Sequence, residues 1–414
     1  MSKKRVVITG LGSINSIGTN VEDTWKSLLA GMSGIGYISR FDTTDMPSKI
    51  AAEIKDYDPL NYFDPKNAKK MDLYTHFALI AAAEAVKDAD LVDTNIDKDR
   101  IGVILGAGIG GILTFEEEAN KMFVGGPRKI SPFFIPKMIS NIAAAHIAIE
   151  YGFKGINFNI SSACSSANHA LGTAFRSIQY GDADIIVSGG CEAAITPMAV
   201  GGFCALKALS TNNEDPSKAS RPFDAMRDGF VMGEGAAILV LEELEHAKAR
   251  GAKIYAELIG YGATDDAFHI TAPAEMGEGS ARAMIMALKD GGIKPEDVQY
   301  INAHGTSTQL NDKYETMSIK TVFGEYAYKV KVSSTKSMVG HMLGAAAGIE
   351  AQACILSIRD GKIHPTINLE HPDPECDLNY VPNHYIEHPV QIALSNSLGF
   401  GGHNVAIVFK KYES

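Results

Sequence analysis

The chain has 414 residues, of which 45% are apolar and 21% charged, a composition typical of a globular protein large enough for two core-bearing units. A formal net charge of −11 argues against general nucleic-acid binding. No apolar run is long enough to span a bilayer, and no signal-peptide core follows the basic start at Lys3 and Lys4, so we expect no membrane insertion. Five widely spaced cysteines favour a reducing, cytoplasmic location over a disulfide framework or a cysteine metal site.

Strand-like runs alternate with helical segments along the chain. They lie at residues 100–105, 156–160 and 184–188, and again at 300–303 and 331–334. This alternation predicts an α/β fold in which helices cover a parallel or mixed sheet. The last two runs, 392–396 and 405–409, flank Gly399-Phe400-Gly401-Gly402 and are predicted to form an antiparallel hairpin. The glycines in this turn would let backbone N–H groups come close to a ligand.

An internal repeat relates two parts of the chain. Residues 160–174 align without gaps on residues 332–346, with seven of the fifteen pairs identical, and the alignment places Cys164 opposite Lys336. A weaker sequence similarity relates residues 8–12 to residues 258–262. We therefore predict two related halves, residues 1–254 and 255–414. The first half carries about 80 additional residues, which we expect to be shared between segments 20–98 and 111–143.

Cys164 has the setting of a catalytic nucleophile. It lies between the strand-like run 156–160 and a predicted helix over residues 165–180, which is rich in small residues and stops at Gly181. A cysteine in the first turn of a helix is close to unpaired N–H groups and to the positive end of the helix dipole, which favour the thiolate. The alternative is a buried cysteine that serves as a small apolar residue. Cys191, which follows the run at 184–188, is the competing candidate.

Two histidines occupy similar junctions. His304 follows the run at 300–303, and His341 precedes the small-residue segment 343–348. Open α/β sheets place ligands at such strand-to-helix junctions, so both histidines are candidates to complete a site with Cys164. A structural histidine is one alternative. A metal ligand is another, although no His-Glu-x-x-His motif or cysteine pair accompanies them, and we expect no metal.

Four motifs resemble the active-site motifs of the β-ketoacyl-[acyl-carrier-protein] synthases. They are Ser162-Ala163-Cys164, Ala303-His304-Gly305-Thr306-Ser307-Thr308, Lys336-Ser337-Met338-Val339-Gly340-His341 and Gly399-Phe400-Gly401-Gly402. The resemblance extends over essentially the whole chain and includes Arg221-Pro222-Phe223-Asp224 and residues 228–235. The Cys-His-His set resembles the elongating synthases, whereas initiating relatives use Cys-His-Asn and thiolases use Cys-His-Cys. The segment Gly106-Ala107-Gly108-Ile109-Gly110-Gly111 is similar to type II rather than type I members.

The resemblance implies a thiolase-like α/β fold, in which two halves related by a pseudo-twofold axis build five layers, α-β-α-β-α. It implies an acyltransferase of fatty acid chain elongation. Such an enzyme condenses malonyl-carrier protein, with loss of carbon dioxide, onto an acyl group held on Cys164. The implied partners are acyl carrier protein, loaded with acyl or malonyl groups, and a second copy of the chain in a homodimer. No cofactor is implied.

The resemblance also implies a role for each site residue. The catalytic residues would be Cys164, His304, His341, Lys336 and Phe400. The substrate-binding residues would be Thr306, Thr308, Ile109, Phe203 and Glu315. Docking of the acidic carrier protein would use Lys66, Lys69, Lys70 and Lys207. Within the site, the N–H groups of Cys164 and Phe400 would form an oxyanion hole, Phe400 would act as a gate, and Lys336 would pair with Glu315.

The sequence departs from the family pattern at a few positions. His403 stands where threonine is usual, and Ser16, Gln309 and Asn311 replace proline, proline and glycine. We expect His403 to affect the dynamics of the Phe400 loop or its response to pH.

Two other functions fit part of the sequence. Gly106, Gly108 and Gly111 follow a strand-like run and match Gly-x-Gly-x-x-Gly, the fingerprint of dinucleotide-binding oxidoreductases. The acidic residue that should end a strand about 20 residues later is missing from residues 129–136. The second alternative is a non-catalytic subunit that measures chain length. The presence of Cys164 argues against it.

Overall fold

A computed structural model describes residues 3–92 and 96–413, so Met1, Ser2 and Ser414, at the outer ends of the two predicted halves, lie outside the described residues. The strands are β1 (Val6–Asn15), β2 (Gly36–Tyr37), β3 (Ile50–Ala51), β4 (Ile101–Gly106), β5 (Asn157–Ile160), β6 (Ile185–Glu192), β7 (Gly235–Glu243), β8 (Ala256–Asp265), β9 (Tyr300–Asn302), β10 (Lys331–Ser333), β11 (Lys362–Ile363), β12 (Ile386–Glu387), β13 (Ile392–Gly399) and β14 (His403–Lys410). The helices are α1 (Val21–Leu29), α2 (Pro65–Ala68), α3 (Leu73–Asp88), α4 (Ile112–Gly125), α5 (Phe134–Met138), α6 (Ile142–Tyr151), α7 (Ser166–Tyr180), α8 (Pro197–Ala205), α9 (Leu244–Ala249), α10 (Glu278–Gly291), α11 (Gln309–Phe323), α12 (Lys336–Val339) and α13 (Ala346–Asp360).

Ten of these strands form one sheet in the order β5-β4-β6-β7-β1-β8-β14-β13-β9-β10. The order in the second half mirrors the order in the first about the contact between β1 and β8. In the first half β4 is parallel to β5 and β6, whereas β7 is antiparallel to β6 and β1. In the second half β9 is parallel to β10 and β13, whereas β14 is antiparallel to β13 and β8. The two halves therefore share one topology.

Helices divide the sheet into layers. Between its two halves lie α7, which contacts β4 and β6 as well as β8 and β14, and α13, which contacts β9 and β13 as well as β6 and β7. The outer face of the first half is covered by α3 and α6, and that of the second half by α10 with α11 beside it. This is the predicted α-β-α-β-α arrangement. Residues 346–358 of α13 are all buried, as a helix between two sheets requires.

The weaker sequence similarity, between residues 8–12 and 258–262, reflects the same close packing of a strand against a helix in both halves. Gly12 in β1 faces α3, and Gly262 in β8 faces α10. A Cβ atom on Gly12 would lie 1.9 Å from the carbonyl oxygen of Ala81, and one on Gly262 would lie 2.1 Å from that of Ala283. A side chain at either position would push a helix away from the sheet.

The predicted elements are confirmed, although several ends differ. The hairpin is longer than predicted, because β13 and β14 pair from Ile392 with Lys410 to Gly399 with His403. Strand β6 continues to Glu192, since β4 and β7 pair with it on both sides.

The additional elements of the first half lie within the two predicted segments. Helices α1 and α2 and strands β2 and β3 fall within 20–98, of which residues 93–95 lie outside the described residues, and α4 and α5 fall within 111–143. These elements have no counterparts among the described residues between β8 and β10. The second half begins with β8 at Ala256, and the division between residues 254 and 255 stays a prediction.

Candidate active site

A strained turn presents Cys164 between β5 and α7. Ala163 has a φ of +50°, a left-handed conformation that costs a non-glycine residue about 1 kcal/mol or more. Ser166 Oγ donates to the Ala163 carbonyl oxygen at 2.7 Å and accepts from the Ser162 N–H at 2.9 Å, and both bonds hold the turn. Cys164 itself precedes Ser165, the N-cap residue of α7. The predicted strand-to-helix setting of the cysteine is therefore confirmed.

The thiol of Cys164 is not a preformed thiolate. Although part of the residue is accessible from a cavity, the surrounding protein removes the sulfur from bulk water, and this burial raises its pKa to about 12. The ammonium of Lys336 and a hydrogen bond from the Phe400 N–H act in the opposite direction without prevailing. The prediction that the helix N-terminus favours the thiolate over the thiol is therefore wrong for the resting site, because desolvation exceeds the electrostatic stabilisation.

The competing cysteine is placed differently. Cys191 lies within β6, which is paired on both sides, and none of its surface is exposed. Burial raises the pKa of its thiol well above the usual value. Cys164 contributes to the cavity wall, whereas Cys191 does not.

His304 is oriented by Lys336. The Lys336 ammonium donates to the His304 carbonyl oxygen at 2.6 Å and lies 3.3 Å from His304 Nδ1. Because an ammonium group can only donate, Nδ1 must accept, and a neutral ring then carries its proton on Nε2. Burial and the nearby ammonium lower the pKa of His304 well below its usual value, so the ring stays neutral.

His341 has the same protonation for a different reason. Its Nδ1 accepts the N–H of Leu343 at 3.3 Å, which also assigns the proton to Nε2. Burial lowers the pKa of His341 well below its usual value, with a further contribution from Lys336. The His304 and His341 rings lie 5.4 Å apart at 85°, and the Phe230 ring packs against His341 at 5.3 Å. Two neutral N–H donors are thus brought together.

The ion pair of Lys336 differs from the predicted one. Its ammonium pairs with Glu350 on α13, and the predicted pairing with Glu315 is wrong. Glu315 on α11 instead accepts the N–H groups of His304 and Gly305, each at 2.8 Å. Burial raises the pKa of Glu315 to about 7 and also raises that of Glu350. Glu315 therefore supports the His304 loop from behind rather than from the cavity wall, so its predicted contact with substrate gains no support.

Most of the remaining predicted residues meet at one cavity of about 540 Å³. Its lining includes Cys164, His304, His341, Phe400, Thr306, Thr308, Ile109 and Phe203. The hydroxyl oxygens of Thr306 and Thr308 lie 2.9 Å apart and form a polar edge. Phe203 packs edge-on against Phe230 at 5.3 Å and contributes, with Ile109, an apolar wall. The cavity can therefore hold an apolar chain and a polar one beside the same sulfur.

The glycine-rich turn of Phe400 is tied to the segment that follows β8. The Gly401 N–H donates to the Ile270 carbonyl oxygen at 2.8 Å, and the Asp266 N–H donates to the Gly402 carbonyl oxygen at 2.9 Å. A backbone movement of this turn must therefore break these two hydrogen bonds or displace the 266–270 segment as well.

His403 lies beside this turn. Its Nδ1 is 3.6 Å from Asp265 Oδ2, and its carbonyl oxygen accepts the hydroxyl of Ser165 at 2.9 Å. The imidazole thus lies beside the end of β8, with the His169 ring 6.0 Å away. Its expected effect on the loop or on the pH response stays a prediction.

The predicted docking lysines occupy two regions. Lys66, Lys69 and Lys70 are exposed on and just after the short helix α2, away from the cavity lining. Lys207 is exposed at the cavity, two residues after α8. Their common role in docking stays a prediction.

Three residues of the site were not found from the sequence: Phe230, Glu350 and Glu192. Phe230 lies in the 228–235 motif, which was a usable signal. The two carboxylates had no such sequence signal, because their partners are distant in the chain.

The contacts of Glu192 argue against the dinucleotide-binding alternative. The N–H groups of Gly108 and Gly110 donate to its carboxylate at 2.8 and 3.0 Å. The glycine loop therefore binds an internal carboxylate rather than presenting these groups to a pyrophosphate.

Within residues 3–92 and 96–413, no three or more His, Cys, Asp and Glu side chains are grouped so as to hold a metal ion. No helix in the same residues is long and apolar enough to cross a membrane.

Known proteins resemble the chain over its whole length. Residues 3–247 match the beta-ketoacyl synthase N-terminal domain, and residues 255–370 match the C-terminal domain of the same family. A Synechocystis protein named 3-oxoacyl-[acyl-carrier-protein] synthase 2 is 53% identical over 413 residues, which cover 100% of this chain and 99% of that protein. A Staphylococcus aureus protein of the same name is 53% identical over 411 residues, 99% of each chain.

Solved structures agree with this assignment. The ishigamide ketosynthase/chain length factor is 36% identical with a TM-score of 0.93, and the match covers 99% of this chain and 100% of that one. A type II PKS acyl-carrier protein in complex with its ketosynthase, bound to the hexaketide, gives 38% identity and a TM-score of 0.91 over 99% of this chain and 100% of that one.

Proposed function

Because the chain belongs to the beta-ketoacyl synthase family, we propose that it is an acyltransferase that elongates acyl groups carried by acyl carrier protein. The product is a 3-oxoacyl-carrier protein two carbons longer than the acyl donor. The observation that carries the proposal is the single cavity in which Cys164 meets two neutral histidines, each protonated on Nε2. The names of the 53% identical relatives support the same reaction.

The first half-reaction is acyl transfer. The sulfur of Cys164 attacks the thioester carbon of the acyl-carrier protein, and the bond to the carrier's sulfur breaks. The N–H groups of Cys164 and Phe400 stabilise the oxyanion, a role supported by the Phe400 N–H that points at the sulfur. Because the resting thiol is protonated, its proton moves away as the new bond forms. It ends on the thiol of the departing carrier protein.

The second half-reaction is decarboxylative condensation. The carbon–carbon bond to the malonyl carboxylate breaks, carbon dioxide leaves, and the electron pair forms an enolate on the thioester. The Nε2–H groups of His304 and His341 stabilise the enolate oxygen. The enolate carbon then attacks the acyl-Cys164 thioester, and the released thiolate takes a proton. Thr306 and Thr308 hold the phosphopantetheine arm, and Phe400 separates the two half-reactions as a gate.

The proposed partner is acyl carrier protein, bound through Lys66, Lys69, Lys70 and Lys207. Exposed ammonium groups suit an acidic partner although the chain itself is acidic overall.

We also propose a homodimer and a cytoplasmic location. The dimer is supported by β5, an edge strand of the sheet whose Phe158 is 39% exposed, since unpaired edges are ready to add a second copy. The location is supported by five free cysteines.

Incubation with acyl-carrier proteins of graded length, followed by mass spectrometry, tests the proposal. We expect one acyl group per chain on Cys164, at a position fixed by peptide mapping. The matched variants are Cys164→Ala, which should abolish the adduct, and Cys191→Ala, which should retain it. A stoichiometric thioester on Cys191, or an adduct that persists in Cys164→Ala, would exclude the assigned nucleophile.

A further inference from the structure

Glu192 is a buried carboxylate beside the active site that the proposed reaction does not use. It ends β6 with none of its surface exposed. Among the described residues no Lys, Arg or His side chain forms an ion pair with it. Burying a charge without a partner is costly and raises the pKa of Glu192 to about 7, so a charged Glu192 requires compensation by other groups.

The compensation comes from backbone N–H groups of both halves of the chain. Glu192 Oε2 accepts from Gly108 at 2.8 Å and Gly344 at 3.1 Å, and Oε1 accepts from Gly110 at 3.0 Å. The Ile109 N–H lies 3.2 Å from each oxygen. Four N–H donors thus converge on one carboxylate. These bonds fasten the loop after β4 to the turn that follows His341.

The fastened loop separates two cavities. Ile109 lines the reaction cavity and also a second cavity of about 410 Å³. The other lining residues of the second cavity are largely apolar: Gly108, Gly111, Ile112, Phe115, Met138, Ile139, Ser140 and Ser161. Because Gly108 and Ile109 border both cavities, an acyl chain on Cys164 that outgrows the first cavity would reach the second past this loop.

We propose that Glu192 is a positioning residue that sets how long an acyl chain Cys164 accepts, because its carboxylate holds Ile109 as the wall between the two cavities. The inference rests on the proposed function. Glu192 itself does not line either cavity, so it acts through the loop.

Glu192→Gln tests the inference with little change in volume. The carboxamide has a single acceptor oxygen and turns an NH2 group toward N–H donors, so the loop should be released. We expect the ratio of acylation rates for long over short acyl-carrier proteins to rise by about tenfold, the scale of losing one hydrogen bond to a charged group. The measurement is the rate of adduct formation on Cys164 for each acyl length. If Glu192→Gln does not fold, Glu192→Asp, which keeps the charge but shortens the side chain, is measured in the same way.

Glu84→Gln is the matched control. Glu84 is a half-buried carboxylate on α3 that likewise accepts only backbone N–H groups, from Ser13 and Val21, each at 2.9 Å. Its variant should leave the length ratio unchanged, since it lines neither cavity.

A double variant tests the route of the effect. If Glu192 acts through Ile109, adding Glu192→Gln to Ile109→Ala should change the length ratio by less than about twofold. An equal loss of rate at every length in Glu192→Gln, or an effect that adds in full to Ile109→Ala, would overturn the inference. Failure of the wild-type chain to acylate Cys164 at any length would instead overturn the proposed function.

Discussion

The ionisation of the Cys164 thiol is subject to opposing effects of its surroundings. Burial disfavours the thiolate, whereas Lys336 and the Phe400 N–H favour it, and burial prevails in the resting site. An incoming thioester changes this balance, because the sulfur's charge passes to an oxygen that faces two N–H groups. In the proposed mechanism, Cys164 is therefore activated during the reaction with the thioester rather than before it.

Alkylation of Cys164 should follow the raised pKa. Since only the thiolate reacts and burial places the pKa at about 12, the rate with iodoacetamide should rise about tenfold per pH unit from pH 7 to 9 without a plateau. Peptide mapping assigns the adduct to Cys164, and glutathione in the same buffers serves as the reference thiol, which should level off above its own lower pKa. A plateau of the Cys164 rate below pH 8 would show instead that the helix N-terminus prevails and that the thiolate is the favoured form.

The two half-reactions should separate in histidine variants. His304→Ala or His341→Ala removes one Nε2–H donor and should lower malonyl decarboxylation by about 10²-fold or more. Acylation of Cys164 should survive at a measurable rate, because neither substitution removes the N–H groups of the proposed oxyanion hole. His384→Ala, at an exposed position, is the control and should change neither rate. Loss of acylation with decarboxylation intact in His304→Ala would make His304 a general base and the proposed mechanism wrong.

At the scale of residues, the sequence identified candidate residues that the structure places at one cavity, but it did not identify the residues that hold them in position. Cys164, His304 and His341 lie in motifs at strand-to-helix junctions, and they line one cavity. The pairing of Lys336 with Glu350 depends on how α13 passes behind the site, which no local pattern encodes. The balance between burial and charge at Cys164 likewise needs the folded surroundings.

At the scale of elements, the C-terminal end of α8 bears on both the stability of the fold and the proposed docking of the carrier protein. Lys207 has a φ of +54° where glycine is usual, and the hydrogen bonds from Lys207 N–H to Cys204 O at 2.9 Å and from Ala208 N–H to Phe203 O at 3.1 Å form a Schellman motif. A lysine tolerates this left-handed conformation poorly. Its presence at the cavity is explained if its charge serves the partner.

Lys207→Gly should therefore stabilise the fold and weaken function. We expect the free energy of unfolding to rise by up to about 1 kcal/mol, because the strain is relieved. The Michaelis constant for carrier-linked substrate should also rise, because a docking charge is lost. Urea denaturation and steady-state kinetics measure the two effects.

Lys69→Glu is the companion variant. It should raise the same constant and weaken its salt dependence with little change in stability, since Lys69 is exposed and not in a left-handed conformation. If neither Lys207→Gly nor Lys69→Glu changes the constant at low salt, the docking surface is misplaced.

Strand and helix types were predictable because each follows from local periodicity and turn residues. The ends of β6, β13 and β14 were not, because strands lengthen when neighbours pair with them. The turn at Ala163 shows the same limit. Its positive φ is imposed by the hydrogen bonds of Ser166, which the sequence does not reveal.

For the whole molecule, the internal repeat was the most informative signal. The alignment of Cys164 with Lys336 corresponds to equivalent places in the fold, directly after β5 and β10. The two halves share one topology, but their equivalent positions differ in role, since one supplies the proposed nucleophile and the other the ammonium behind His304. The support for the proposed homodimer could not be read from the sequence, because β5 is recognised as an edge strand only once the strand order is known.

The most direct test of the account is a single turnover. Chain acylated on Cys164 is mixed with malonyl-carrier protein, and the protein adduct, the carrier-bound product and carbon dioxide are measured together. We predict that the Cys164 adduct disappears as equal amounts of carbon dioxide and a 3-oxoacyl-carrier protein two carbons longer appear. Carbon dioxide release with the Cys164 adduct intact, or loss of the adduct without the longer product, would contradict condensation at this site.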